Sequence, residues 1–125
     1  MTTPRIALAA AFLLAAASPS WADGNADEGA KVFKSQCGVC HRVDGKNAVG
    51  PHLDGVVGRH SGTIEGFHYS AANKGSDITW TEDVLDKYIT NPKEIVPGTI
   101  MPYAGLKDDA KRADLIAYLK SVSPQ

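Results

Sequence analysis

Cys37-Gly38-Val39-Cys40-His41 is the stretch of this 125-residue chain that says most about its fold. It has the pattern C-x-x-C-H, which is the attachment signature of a c-type haem. Two thiols at this spacing can add to the two vinyl groups on one edge of a porphyrin, and the imidazole that follows can turn under the ring to bind iron. The pattern predicts one haem, attached covalently through Cys37 and Cys40.

Two other interpretations of the cysteine pair stay open. In an exported protein the pair could form a disulfide or a thiol oxidoreductase motif, but such redox motifs lie near a βαβ pattern and no convincing strand is present. A zinc site would need further cysteines or histidines at ligand spacing, and the remaining histidines are single residues at His52, His60 and His68. The haem interpretation is therefore favoured.

The first 22 residues resemble a secretory signal peptide. Arg5 supplies the positive charge, Ile6 to Ala17 is an uninterrupted apolar run, and Ser20-Trp21-Ala22 is a small-x-small cleavage site. An uncleaved membrane anchor is the alternative, but the run stops short of the roughly 20 apolar residues that span a bilayer. We expect cleavage after about Ala22 and an exported, soluble domain over residues 23–125, without stable membrane insertion.

The remaining chain is short and weakly charged. A length of 125 residues allows one domain, since a domain typically takes about 100 to 200. The signal contains one basic residue, Arg5, and no acidic residue. Residues 23–125 therefore hold 12 Lys and Arg and 14 Asp and Glu, which gives a net charge of −2. This balance argues against a nucleic-acid partner, which requires clustered positive charge.

The local patterns predict an all-α domain of three main helices joined by long loops. The first helix starts near Asp27 and ends at the haem motif, and a glycine-rich loop follows from Val43 to Ser76. Thr81 caps a middle helix that Asn91-Pro92 ends. The other elements are a short helical turn from Lys93 to Val96 and a final helix that Asp108 or Asp109 caps and Pro124 stops.

Several segments appear in the order found in class I c-type cytochromes, and together they span nearly all of residues 23–125. They are Cys37 to His41, Gly50 to Leu53, Gly58-Arg59, Gly66 to Lys74, Ile78 to Trp80, Asn91 to Lys93, Pro97 to Met101 and Asp114 to Leu119. The chain most resembles the branch that holds mitochondrial cytochrome c and bacterial cytochrome c2. The resemblance implies the small single-domain cytochrome c fold wrapped around one haem c.

The resemblance also implies the two axial ligands of the iron, His41 and Met101, the latter in the segment Pro97-Gly98-Thr99-Ile100-Met101. Chemistry supports the same pair, because a thioether is a soft donor that suits low-valent iron, and Met101 is the only methionine after the signal. The alternative is a methionine that merely fills the core, with a bis-histidine haem completed by His52, His60 or His68.

The remaining site residues follow from the resemblance alone. It implies that the Pro51 carbonyl accepts a hydrogen bond from His41, and that Tyr88 and Thr99 place hydroxyls near Met101. It further implies a group of polar and aromatic side chains around a haem propionate: Arg59, Tyr69, Asn73 and Trp80. For Tyr69 and Trp80 the alternative is that each is an ordinary aromatic residue of the core.

The implied function is a soluble periplasmic one-electron carrier, monomeric and without enzymatic activity. Its redox partners would be a bc1-type complex, a terminal oxidase, a photosynthetic reaction centre or a periplasmic dehydrogenase. The alternative is a haem peroxidase or gas-binding sensor whose sixth ligand is displaceable. One departure from the family concerns partners: mitochondrial relatives surround the haem edge with lysines, whereas this chain is slightly acidic.

Overall fold

Three main helices and two short ones make up the regular structure of residues 24–124, the part of the chain that the computed structural model describes. They are α1 (Ala26–Gln36), α2 (Ala71–Lys74), α3 (Glu82–Thr90), α4 (Pro92–Ile95) and α5 (Asp109–Ser121). The only β pairing in these residues is an isolated bridge between His60 and Thr79. The all-α prediction is confirmed. The signal-peptide prediction concerns residues that lie outside the described range.

Side-chain caps fix where the main helices begin. Asn25 accepts hydrogen bonds from the backbone N–H groups of Asp27 and Glu28 at the start of α1. Thr81 caps α3, as predicted. At α5 the capping residue is Asp108, which accepts from the Lys111 N–H at 3.0 Å. These oxygens satisfy N–H groups that have no partner within a helix.

One expectation about the loops is wrong in detail. The stretch from Val43 to Ser76, predicted to be loop throughout, contains α2. Ser70 caps this helix by accepting from the Asn73 N–H at 3.1 Å. Four residues make a single turn, which is too short for hydrophobic periodicity to reveal.

The first and last helices cross at Gly29. A Cβ at that position would lie 1.9 Å from the Asp114 carbonyl oxygen and 2.8 Å from Tyr118 Cβ, so only glycine permits this approach. One turn further along α1, the Phe33 and Tyr118 rings are 5.4 Å apart, within the range of aromatic pairs. Leu115 is completely buried beside them in the core.

The core continues from this crossing to α3 and to the chain that follows α4. Its buried apolar side chains are Phe33, Val56, Trp80, Leu85, Ile89, Val96, Leu106, Leu115, Ile116 and Leu119. Several of them also line a cavity that the long loops enclose. Over residues 24–124, no helix combines the length and the apolar character needed to cross a membrane.

Candidate haem site

A cavity of about 330 Å³ collects most of the residues that the motif analysis singled out. Cys37, Cys40, His41 and Met101 all line it. Apolar side chains make up much of the remaining wall: Val49, Leu53, Val56, Phe67, Leu85, Ile89, Ile100, Leu115 and Leu119. A second, more open cleft of about 470 Å³ contains no cysteine, histidine or methionine. The chemistry-bearing residues are therefore concentrated in the first cavity.

The C-terminal end of α1 directs the haem motif into this cavity. Cys37 follows the last residue of the helix, and its N–H donates to the Phe33 carbonyl. The N–H groups of Cys40 and His41 both donate to the Cys37 carbonyl, at 3.0 and 2.9 Å, which turns the chain tightly after the helix. The two thiols and the imidazole thus come from one helix end and one turn.

Cys37 does not have the lowered pKa of a catalytic thiol. Burial, with a smaller contribution from Cys40, raises the pKa of its thiol to about 11, and no disulfide joins the two cysteines. A thiol oxidoreductase needs an accessible cysteine with a lowered pKa. The environment of Cys37 therefore argues against thiol redox chemistry.

The His41 ring is held by the backbone of Gly50 and Pro51. Its Nδ1 lies 2.7 Å from the Pro51 carbonyl oxygen, so Nδ1 carries the proton and the Nε2 lone pair remains available. Burial lowers the pKa of His41, which favours the neutral form that coordinates metals. Gly50 lies so close that a Cβ there would be 2.3 Å from His41 Cε1. The ring orientation is therefore fixed from two sides.

Met101 is the other iron-binding candidate in the cavity. Its N–H donates to Thr99 Oγ1 at 3.3 Å, and the Tyr88 hydroxyl lies 3.8 Å from its Sδ. Burial raises the pKa of Tyr88, and a hydrogen bond with Thr99 opposes that rise. The three residues expected together around the thioether are thus adjacent.

The other histidines of the chain do not line this cavity. His52 Nδ1 is 2.8 Å from Asp54 Oδ1, and His60 Nε2 is 3.3 Å from Asp77 Oδ1. His68 is also outside the lining set. The bis-histidine alternative has no candidate at the cavity wall besides His41.

Arg59, Tyr69, Asn73 and Trp80 also line the cavity, and within residues 24–124 Arg59 is the only charged residue that does. Arg59 Nη2 donates to the His52 carbonyl at 3.0 Å, and burial lowers the pKa of its guanidinium. The buried Asn73 Oδ1 has no hydrogen-bond partner, whereas Tyr69 Oη accepts from the Ile64 N–H at 3.1 Å. A mostly apolar wall with one cation and an unpaired amide fits an amphipathic group that carries a carboxylate.

Sequence reasoning missed the apolar lining residues and one contact at the cavity mouth. The Tyr103 hydroxyl donates to Gln36 Oε1 at 3.0 Å, linking the segment after Met101 to the end of α1. Val49 and Ile100 line the cavity yet are each 76% exposed, which places them at its mouth. The sequence signals that the loops enclose something other than protein were the C-x-x-C-H motif, the family resemblance and the glycine-rich composition of residues 43–76.

Comparison with known proteins decides the family. Residues 26–123 match the sequence model of the family described as "Cytochrome c". The chain belongs to the cytochrome c family. It is 57% identical over 111 residues to a cytochrome c2 of Blastochloris viridis, with 87% of each chain covered. It is 54% identical over 100 residues to a cytochrome c2 of Rhodopila globiformis, covering 79% of this chain and 94% of that one. A cytochrome c of Gossypium barbadense is 50% identical over 99 residues, covering 78% and 89%.

Membership in this family establishes the cofactor and the general activity. Cytochromes c bind a covalently attached haem c, and the cysteine pair of this chain is consistent with that attachment. Members of the family carry electrons rather than catalyse reactions, and their partners are redox proteins. The prediction of a class I c-type cytochrome is confirmed.

Proposed function

We propose that this cytochrome is a soluble periplasmic one-electron carrier whose haem iron is ligated by His41 and Met101. One observation carries the proposal: Cys37, Cys40, His41 and Met101 line the same apolar cavity, whereas His52, His60 and His68 do not. When bound, the haem supplies the ferric and ferrous states between which an electron is exchanged.

The ligands and their neighbours would tune that exchange. His41 is oriented by Pro51, and a hydrogen bond from Nδ1 makes an imidazole a stronger donor. Met101 offers a neutral thioether, and His/Met ligation gives a higher reduction potential than other common ligand pairs. Tyr88 of α3 would contact the thioether itself, and Thr99 would hold the Met101 backbone from within its own loop.

The polar residues of the cavity would hold a propionate. Arg59 supplies the compensating positive charge, and Tyr69, Asn73 and Trp80 supply hydrogen-bonding groups and an aromatic wall. Turning the Asn73 amide would bring its NH₂ group to the buried position that Oδ1 occupies without a partner, and the NH₂ group would donate to a carboxylate there. With His41 and Met101 both bound to it, the iron would have no open position for a substrate, so the proposed role is that of a carrier and not of an enzyme.

Location and partners complete the proposal. We propose that the signal of residues 1–22 is removed after about Ala22, and that residues 23–125 act as a monomer in the periplasm. The donor and acceptor would come from a bc1-type complex, a terminal oxidase, a photosynthetic reaction centre or a periplasmic dehydrogenase. The relatives named cytochrome c2 support a bacterial carrier of this kind. Mass spectrometry of the periplasmic fraction should find a haem-bearing chain that begins at Asp23.

The ligand set is tested by substituting the sulfur donor. Met101→Ala removes the only methionine of residues 23–125, and Ala104→Ser, at an exposed position of the same loop that does not line the cavity, is the matched control. We expect Met101→Ala to lose the weak sulfur-to-iron charge-transfer band, to bind carbon monoxide readily when reduced and to gain peroxidase activity. The control should behave like the unmutated protein.

The same experiment separates the carrier from a haem peroxidase or gas-binding sensor. Methionine ligation requires an iron–sulfur bond to break before carbon monoxide enters, so binding to the unmutated ferrous protein should be slow. Equally fast binding in the unmutated protein and in Met101→Ala would contradict methionine ligation and favour a displaceable or open sixth position.

A further inference from the structure

Met101 lies in the segment of residues 97–107, the methionine loop, which leads from α4 to α5. Its C-terminal end is fastened through both backbone groups of Leu106. The Leu106 N–H donates to the Ile89 carbonyl of α3 at 2.8 Å. The Leu106 carbonyl accepts a hydrogen bond from Nη1 of Arg112 in α5 at 3.1 Å. Two helices therefore hold the same loop residue.

Gly105 and Lys107, on either side of Leu106, both contact the C-terminal end of α3. Gly105 has a φ of +107°, and a Cβ there would lie 2.1 Å from the Thr90 carbonyl oxygen. The Lys107 ammonium donates to that same carbonyl. The last carbonyls of α3, which have no partner within the helix, are thus satisfied by the end of the methionine loop.

Arg112 joins three parts of the fold through one guanidinium. Its side chain is only 9% exposed. Nε donates to Asp86 Oδ1 of α3 at 2.6 Å, Nη2 donates to Asp109 Oδ1 at the start of α5 at 2.7 Å, and Nη1 reaches the Leu106 carbonyl. The planar guanidinium presents donors in fixed directions, so three partners also fix its orientation.

Helix α3 contacts Met101 as well as Leu106. Tyr88, one residue before Ile89 and two after Asp86, places its hydroxyl 3.8 Å from Met101 Sδ. A shift of the loop end relative to α3 therefore changes the position of the thioether relative to Tyr88.

We propose that Arg112 is a positioning residue for Met101: by holding the Leu106 carbonyl beside α3, it controls how often the methionine loop opens and frees the sixth coordination position of the iron. This inference rests on the proposed ligation by Met101. Loss of the guanidinium leaves the Leu106 carbonyl and the Asp86 carboxylate without their partner. Hydrogen bonds to a charged group are worth enough to raise the population of the open loop about tenfold or more.

The test uses the haem-loaded protein and three variants. Arg112→Gln removes the positive charge. Arg112→Lys keeps the charge but replaces the planar guanidinium and its several donors with a single ammonium. The lysine variant takes the place of the glutamine variant if the latter does not fold. The control is Ile116→Val, a buried residue of the same helix that does not line the cavity. It lowers stability but leaves in place the two backbone hydrogen bonds of Leu106, to Ile89 and to Arg112.

Two readouts distinguish positioning from general destabilisation. The first is the rate of imidazole binding to the ferric protein at saturating imidazole, where loop opening limits the rate. We expect an increase of about tenfold or more for Arg112→Gln, less for Arg112→Lys, and less than about threefold for Ile116→Val. The second is hydrogen exchange of the Leu106 amide, which should accelerate in the arginine variants and not in the control.

The outcomes separate this inference from the proposed function. If the unmutated ferric protein has the sulfur-to-iron band, but the arginine variants match Ile116→Val in imidazole rate and Leu106 exchange, Arg112 has no positioning role and methionine ligation stands. If the unmutated protein lacks the band, the proposed ligation and this inference both fail.

Discussion

Gly50→Ala gives a sharp test of how the His41 ring is held. The added Cβ would lie 2.3 Å from Cε1, 2.7 Å from Nδ1 and 2.9 Å from Nε2 of His41, whereas ordinary contacts begin at 3.4 Å. The ring must therefore recede from Gly50 by about 1 Å, because backbone on both sides limits any movement of the alanine. Such overpacking costs about 1 to 3 kcal/mol of stability.

The displacement also reaches the hydrogen bond between His41 and Pro51. Pro51 directly follows Gly50, so retreat of the ring from Gly50 lengthens the 2.7 Å contact by up to about 1 Å, to at most roughly 3.7 Å, and weakens or breaks the hydrogen bond. The imidazole then becomes a weaker donor, which disfavours ferric iron more than ferrous iron. The bond is worth about 0.5 to 1.5 kcal/mol, so the reduction potential should rise by up to about 60 mV, since 59 mV corresponds to a tenfold change for one electron.

A spectroelectrochemical titration measures this potential, and a guanidinium titration of the ferric protein measures stability. Gly75→Ala is the matched control, because its Cβ would meet only the Ala71 carbonyl oxygen, at 3.2 Å. If the reduction potential of Gly50→Ala lies within about 10 mV of the control's, the packing of Gly50 on the His41 ring does not set the potential. A fall in potential would contradict the prediction as well, since that direction indicates loss of the methionine ligand instead.

Three further predictions concern folding, ligand tuning and docking. Cys37→Ala combined with Cys40→Ala should give a largely unfolded apoprotein, because the loops of residues 43–76 lose the apolar group they enclose; a native-like circular dichroism spectrum with a cooperative thermal transition would contradict this. Tyr88→Phe removes the hydroxyl 3.8 Å from Met101 Sδ, which strengthens the sulfur as a donor and should lower the reduction potential by about 20 to 60 mV. A redox titration of this variant beside Tyr118→Phe, whose ring does not line the cavity, checks it, and an unchanged potential would show that the Tyr88 hydroxyl does not act on the sulfur. A net charge of −2 for residues 23–125 predicts that electron transfer to the native partner varies weakly with ionic strength; stopped-flow rates that fall steeply with added salt would show a local charged patch instead.

The sequence was sufficient for the features that depend on short-range chemistry. The haem motif, the caps of α3 and α5 and the end of α3 before Pro92 each follow from a few neighbouring residues whose backbone preferences or reactivity are known. Where α1 crosses α5, the residue is Gly29, and a glycine inside a helix is where a second helix can approach closely.

What the sequence did not reveal depends on the path of the chain in space. Nothing in the residues around His52 says that its side chain points to Asp54 instead of the cavity, because side-chain direction in an irregular loop is set by distant contacts. Arg112 looks like an ordinary charged residue at the start of a helix, and its role appears only when α3 and the methionine loop are brought beside it. Helix α2 was missed because its four residues carry no periodic signal.

The crossing of α1 and α5 also constrains when this protein can mature. Gly29 meets Asp114 and Tyr118, so the interface that completes the core joins residues made near the beginning of synthesis to residues made near its end. The core therefore cannot close before the whole chain, α5 included, has been exported. In the haem-free chain, which we expect to be largely unfolded, both thiols stay open to haem attachment until the cofactor supplies the apolar body around which α1 and α5 meet.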